Sequence, residues 1–368
     1  MSDQPLYGYL RRAYGAEVVL PAARASLGLM ASLRAWLDLG HAPVVALSAN
    51  VCHDVVAAIL ASGLRPVFLD QDPVTGLVPD GEWRRARAAG ASVALVVHLY
   101  GNPSDVSAAR AHFPADESLL IDDAAQALGA HNSAGLAGAQ GDVGLLSFGA
   151  TKHISAGGAV VLLRSGCMAA LVQKHLDAIP VLPSGRVDAM HHSFRIGLEA
   201  ARRRLRDSGG NDVAAFNGLL EGYVPLVSEP LDASCADAVW LAMASYDRMR
   251  EARCAKAAAW ADELSGSGMV PVGMLAGGAV PWRYACRLPG LDWASQHRIA
   301  ESMRSRAMNV SHWYLPAHWM CGAPVASLAG VEQLAREMFQ FWLDESISME
   351  NIRQGATIVK KVLEECRS

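Results

Sequence analysis

The sequence predicts an α/β protein, a mostly parallel sheet covered by helices on both faces, followed by a smaller α+β domain. Short apolar runs alternate with helical patterns up to about residue 165, as in crossover-linked parallel strands. One of those runs, residues 93–99, is apolar except for His98, so it reads as a strand buried on both faces. The patterning changes near residue 230, which divides the chain into a large domain over residues 1–230 and a small one over 231–368.

The elements follow in order. Residues 25–39 predict an amphipathic helix, with Leu27, Met30, Leu33 and Trp36 at three-residue steps. Val44-Val45-Ala46-Leu47 reads as a buried strand, and residues 55–61 as a helix ended by Gly63. Pro66-Val67-Phe68-Leu69-Asp70 is a further strand. After the 93–99 strand come a short helix at 108–112 and strands at 119–122, 143–148 and 159–163. Residues 185–230 are mixed in charge and show little periodicity, and Gly209-Gly210 marks a loop. One long helix is predicted from 233 to about 265, then a strand at 281–288 and helices at 293–306 and 325–342. Residues 346–366 close the chain as a helix, capped by Ser348 with Glu350 in the first turn.

Composition narrows the function. The chain is 52% apolar and 18% charged, which suits a large core, and its formal net charge of −4 offers no attraction to nucleic acid. The densest basic cluster, Arg202-Arg203-Arg204 with Arg206, reads as a solvated helix face or as a contact for an anionic substrate such as a nucleotide diphosphate. Seven cysteines without a CxxC pair argue against a disulfide framework and a structural zinc site. His191-His192 has no partner at ligand spacing, so no metal is expected. The opening Met1-Ser2-Asp3-Gln4 lacks the features of an export signal, and no apolar run reaches the ~18 residues that span a bilayer. A cytoplasmic location without membrane contact is the expectation.

Two segments carry the chemistry. Ile121-Asp122-Asp123-Ala124-Ala125-Gln126 places an acid at the end of an apolar strand. Ser147-Phe148-Gly149-Ala150-Thr151-Lys152-His153 places a hydroxyl and a lysine in a turn before Gly157-Gly158. This is the equipment that pyridoxal 5'-phosphate requires: an acid to keep the pyridine nitrogen protonated, a lysine amine to take the aldehyde, and a hydroxyl for the phosphate. Asp123 is the inward acid, Gln126 is placed to reach the phenolic oxygen, and Lys152 is the covalent anchor. The phosphate needs backbone donors, and the helix start at Ala22-Ala23-Arg24 supplies them. Arg24 either adds charge there or is a surface residue. Cys52-His53 ends another strand on the same rim. His98 is either a satisfied core histidine or a site residue. His312, Tyr314 and His318 fall in one aromatic stretch that suggests a substrate wall.

At these residues the chain resembles the DegT/DnrJ/StrS-type aminotransferases. The pattern E/D-D-A-A-Q, then F-S-F-x-x-T-K-x, then G-G-A is met by residues 122–126, 146–152 and 157–159. Val97-His98-Leu99-Tyr100-Gly101, the run from Pro66 to Pro73, and Tyr314-Leu315-Pro316-Ala317-His318 are similar to further family segments. The resemblance implies a fold-type-I transferase with a seven-stranded, mostly parallel sheet. It implies Lys152 as the residue that holds the cofactor, Asp123 on the ring nitrogen, Gln126 by the phenolic oxygen and Ser147 on the phosphate. It implies a homodimer with active sites at the subunit interface.

The chain departs from the family in several places. The usual S-G-T phosphate turn is Ala22-Ala23-Arg24, and the ring-stacking aromatic falls at Cys52, with His53 beside it. His153 replaces the asparagine after the lysine, and the partner-contacting Y-N-x-R segment has no clean match.

The expected activity is transfer of an amino group from an amino acid, by the resemblance L-glutamate, to a keto sugar on a nucleotide carrier. Pyridoxamine phosphate would be the aminated form of the cofactor, and the kinetics ping-pong. A PLP-dependent sugar dehydratase of the same family is an alternative, opposed by Lys152, since those enzymes carry histidine there. A non-catalytic PLP-binding regulatory protein is another, without a DNA-binding motif to support it. An amino-acid-specific PLP enzyme lacks its carboxylate-binding arginine near the C-terminus.

Overall fold

A computed structural model describes residues 4–220, 231–273, 277–312, 314–321 and 327–367. The first unit opens with α1 (Pro5–Tyr14), β1 (Val18–Ala22), α2 (Ala25–Asp38), β2 (Val44–Ser48), α3 (His53–Ala61) and β3 (Arg65–Leu69). It continues with α4 (Asp80–Ala88), β4 (Val93–Val97), α5 (Val106–Arg110) and β5 (Leu119–Asp123). A small hairpin, β6 (His131–Asn132) and β7 (Gly135–Leu136), precedes β8 (Val143–Ser147) and β9 (Ala159–Leu163).

Seven of these strands form one sheet in the order β1-β9-β8-β5-β4-β2-β3. The pairs from β8 to β3 are parallel, while β9 runs antiparallel to both neighbours. All five residues of β2, β5 and β9 are buried, as expected of strands covered on both faces. Helix α2 lies on one face with Leu29, Leu33 and Trp36 in the core cluster of Leu145 and Val161. It approaches so closely that a Cβ on Gly28 would lie 2.6 Å from a Val161 methyl. The parallel strands end together, so Asp123 and Ser147 reach the same rim, where open α/β sheets bind ligands.

The connecting region holds α6 (Ala169–Asp177) and α7 (Ser184–Asp207). The sequence showed little periodicity over 185–230, yet α7 is a regular 24-residue helix. Its buried apolar stripe, Val187, Phe194, Leu198, Ala201 and Leu205, is thin and diluted by charged neighbours. The expected boundary near residue 230 adjoins 221–230, outside the described residues.

The helix expected over 233–265 is two helices, α8 (Cys235–Met243) and α9 (Tyr246–Glu263). The stretch passes from one core to the other within α9. Val239 and Tyr246 pack with Leu6, Leu10 and Tyr14 of α1, whereas Ala257 and Trp260 pack with the second sheet. The Tyr246 hydroxyl, bonded to the Leu128 carbonyl, pins the junction to the first unit.

The second unit adds β10 (Val270–Pro271), β11 (Tyr284–Arg287), α10 (Trp293–Arg304), β12 (Val310–Ser311), α11 (Ala329–Glu337), β13 (Met338–Phe341) and α12 (Met349–Arg367). Its sheet, β10-β11-β13-β12, is antiparallel throughout. The helix expected over 325–342 therefore stops at Glu337. The Glu337 carboxylate accepts from Gly290 N–H at 2.8 Å and pairs with Arg287 at 2.9 Å, and Met338–Phe341 continue as a fully buried strand. Residues 325 and 326 lie outside the described residues. The closing helix is as expected, with Ser348 Oγ accepting from Asn351 N–H at 3.0 Å.

Two of the contacts between the units are set by backbone groups at the seam. Asp70, just past β3, accepts from Gly330 and Val331 N–H at 3.1 and 2.8 Å and so caps α11 from across the seam. Gly101, at φ 92°, accepts at its carbonyl from Val280 N–H at 3.0 Å. A Cβ there would lie 1.9 Å from the Val280 oxygen, so the seam requires glycine.

Candidate active site

A cleft of about 490 Å³ opens at the rim of the large sheet. It is lined by the ends of β5 and β8, the first turn of α2, the start of α3, and Trp282 and Tyr314 of the second unit. Ala23, Arg24, Cys52, Asp123, Gln126, Ser147, Lys152 and Tyr314, all expected from the sequence, line it together.

The two adjacent acids point apart, as strand alternation requires. Asp122 is fully buried on the other face, bonded to His98 and to Gln140 N–H. Asp123 faces the cleft, 4% exposed, accepting from Ala125 N–H at 2.9 Å. Burial pushes its pKa up, opposed by that hydrogen bond and by the charge of Lys152. A heterocyclic nitrogen set against this carboxyl group is held protonated.

Lys152 follows a turn in which Thr151 adopts φ 70°, a left-handed backbone that costs a β-branched residue about 1 kcal/mol or more. Burial pulls the Lys152 pKa down, against the opposing influence of Cys52, Asp123 and Asp54. An amine so placed is neutral and nucleophilic more of the time than a surface lysine.

Gln126 is held at both ends of its amide. Oε1 accepts from Tyr100 N–H at 3.0 Å and Nε2 donates to the Tyr314 hydroxyl at 2.8 Å. Burial pushes the Tyr314 pKa well up, so its hydroxyl stays protonated. At the opposite end, α2 begins at the extended Arg24 and presents its first N–H groups to the cleft. Ser26 also lines the cleft there, 7% exposed, and its Oγ has no hydrogen-bond partner among the described residues. A buried hydroxyl without a partner beside a helix N-terminus is what an anionic oxygen would satisfy. The donor set therefore fits a phosphorylated pyridine aldehyde: a phosphate end at α2 and Ser147, a nitrogen end at Asp123, and an amine at Lys152.

Arg24 pairs with Asp54 across this end at 3.1 Å. Cys52 lies on the cleft wall where the resemblance places a stacking aromatic, and burial first, then Asp54, pushes its thiol up to about 12. It is a neutral, compact surface.

Four expected residues are not on the cleft wall, among them His312, whose Nδ1 lies 2.7 Å from Arg304 Nη2. His53 packs its ring 4.8 Å from Phe194 of α7. His98 is fully buried between Asp122 and the Ser104 N–H, which donates to Nδ1 at 2.7 Å. His318 is 4% exposed and its Nε2 lies 3.2 Å from Glu332. Trp313, from the same aromatic stretch, lies outside the described residues.

The sequence reading missed Ser26, Asp54 and Trp282. Ser26 carried a readable signal, a hydroxyl in the first turn of a helix already assigned to phosphate. Trp282 carried none, since its place depends on packing across the seam.

Comparison with known proteins agrees with this geometry. Residues 8–174 match the profile of the DegT/DnrJ/EryC1/StrS aminotransferase family. A pleiotropic regulatory protein of Geobacillus stearothermophilus is 35% identical over 101 residues, 27% of each chain. A dTDP-4-amino-4,6-dideoxy-D-glucose transaminase of Shigella dysenteriae is 36% identical over 106 residues, 28% of this chain and 29% of that one. The matched segments thus span less than a third of these two curated relatives. The fold extends further: the PLP form of a putative sugar aminotransferase, Spr1654 of Streptococcus pneumoniae, superposes with a TM-score of 0.77 at 14% identity, covering 99% of this chain and 91% of that one. Residues 8–174, which supply most of the cleft wall, are thus similar to the DegT/DnrJ/EryC1/StrS aminotransferase family, and the fold of the whole chain is that of the solved sugar aminotransferase.

Proposed function

We propose that this chain is a pyridoxal 5'-phosphate-dependent aminotransferase that moves an amino group from L-glutamate to a keto sugar, most simply one carried on a nucleotide. The observation that carries this reading is the convergence on one cleft of a half-buried lysine with a desolvated amine, a buried carboxyl group and a helix N-terminus with an unsatisfied hydroxyl. The family match supports it, and so does the name of the Shigella relative.

When bound, the cofactor supplies an electron sink for charge developing on the substrate carbon. The protein supplies the rest. Lys152 would hold the cofactor through its Nζ, and the same amine is the group placed to take a proton from the donor's carbon and, in the reverse half-reaction, to give one to the acceptor's carbon. Asp123 keeps the ring nitrogen protonated. Gln126, braced by Tyr100 and Tyr314, orients the phenolic oxygen. Ser147, Ser26, Ala23 and Arg24 at the start of α2 hold the phosphate. Tyr314 and the wall around Cys52 face the substrate side.

A dehydratase reading would need a histidine to do the work of Lys152. His153 is turned away, with Nε2 on the Val280 carbonyl at 3.0 Å, and burial lowers its pKa to about 3. It is neutral and committed to that bond.

The reading includes a cofactor-binding domain over residues 1–230 and a small domain over 231–368. It also includes a cytoplasmic homodimer whose partner completes the sugar site. Among the described residues, no helix is long and apolar enough to cross a membrane.

Absorption spectra of the purified protein, titrated first with pyridoxal phosphate and then with L-glutamate, test this reading. The expected result is a visible band that L-glutamate bleaches and a keto acid restores. A bound cofactor that no amino acid converts would contradict the transaminase reading.

A further inference from the structure

The segment 280–283 of the second unit lies against the lysine turn and is fixed to it on both sides of Lys152. Trp282 Nε1 donates to the Thr151 carbonyl at 2.6 Å. His153, neutral for the reason given above, donates from Nε2 to the Val280 carbonyl. The backbone of Trp282 is tied down as well. Its N–H donates to the Tyr100 carbonyl at 2.9 Å, and its own carbonyl accepts from Arg253 Nη1 at 3.2 Å.

Tyr100 and Thr151 are two of the three non-glycine residues with positive φ among the described residues, at 60° and 70°. Such backbones persist only where their surroundings over-determine them. The carbonyls of both end on Trp282, one on its main chain and one on its indole. The indole lines the cleft, and Lys152 Nζ lies 5.3 Å from its ring centroid.

We propose that Trp282 is the positioning residue of Lys152: its indole N–H sets the turn that aims the amine, and its ring screens the amine from water. This rests on the cofactor reading above. It adds a residue from outside the family-matched segment to the machinery of the site.

The groups that face Lys152 are Asp123 from β5, Cys52 and Asp54 at the start of α3, Arg24 at the start of α2, and His153 beside it. Burial outweighs the acids among them and lowers the amine's pKa. Removing the indole admits water, so the amine returns toward the ordinary lysine range. A phenyl ring in its place keeps the screen but not the hydrogen bond to Thr151.

The test uses apoprotein and free pyridoxal phosphate. The rate at which the linked cofactor's visible absorption appears is followed across pH. Only the neutral amine reacts, so the rate rises with pH through the pKa of Lys152, and the wild-type midpoint falls below that of a free lysine. Trp282→Ala is expected to move the midpoint up by about one unit. Trp282→Phe is expected to keep the midpoint and slow capture by about fivefold, the scale of one lost hydrogen bond.

A purely structural tryptophan would change melting temperature and leave the midpoint in place. Wild-type midpoints and rates in both variants, with unchanged circular dichroism, overturn the proposal. If Trp282→Ala does not fold, Trp282→Phe and Trp282→Tyr carry the test, and wild-type capture rates in both overturn it. Wild-type protein that captures no pyridoxal phosphate overturns the cofactor reading itself, and the positioning role with it.

Discussion

Residues 121–158 and residues 280–314 both reach the cleft, but by different routes. In the first stretch, the end of β5 and the turn after β8 place Asp123, Gln126, Ser147 and Lys152 through local geometry, because adjacent parallel strands end on one rim. In the second, Trp282 and Tyr314 arrive on loops of another sheet and are held by bonds to Thr151, Tyr100 and Gln126. Chemistry set by local spacing can be read from sequence. Chemistry set by a seam between units needs the structure.

The sharpest way to break the first region is Lys152→Ala. Covalent cofactor capture is then lost and turnover falls by at least ~10²–10⁴-fold, as expected for removal of a proton carrier, measured by absorption and by keto acid formation. Asp123→Asn keeps the shape of the site but cannot hold the ring nitrogen protonated. Turnover is expected to fall by about 10²–10³-fold with cofactor still bound, read as kcat at saturating cofactor.

The seam is broken by Gly101→Ala, which meets the Val280 carbonyl and a positive φ together. The expected loss of stability is about 2–4 kcal/mol, measured by urea unfolding, with weaker cofactor binding as a consequence. Ser26→Ala removes one phosphate donor. Pyridoxal phosphate should bind about tenfold more weakly while unphosphorylated pyridoxal binds as before, measured by equilibrium titration. His318→Gln is the small-effect control: that residue pairs with Glu332 off the cleft wall, so activity should stay within about twofold.

The same contrast governs how much was legible beforehand. Six of the seven large-sheet strands were readable as apolar runs, and β1 was not, because its partly exposed Val-Val-Leu-Pro-Ala pairs antiparallel at the sheet edge. Asp123 was distinguishable from Asp122 by the Asp-Ala-Ala-Gln pattern that follows the apolar strand, and in the structure the two acids point to opposite faces. His98 was ambiguous because a lone polar residue in an apolar strand looks the same whether it serves a buried acid or a ligand, and here it serves Asp122. Helix α7 was hidden by its charge, and β13 by a helical period that ran into it. Ser26 was within reach of the sequence argument. Trp282 was not, since nothing in its neighbours' identities brings it to Thr151.

Every role proposed for the cleft depends on Lys152 carrying the cofactor. The protein holds five lysines, at 152, 174, 256, 360 and 361, so that assignment reduces to one mapping experiment. Protein incubated with pyridoxal phosphate is reduced with borohydride, digested and analysed by mass spectrometry. The expected result is a pyridoxyl adduct on the peptide containing Lys152, at one per chain. An unlabelled Lys152, or a label spread over the other lysines, would contradict it.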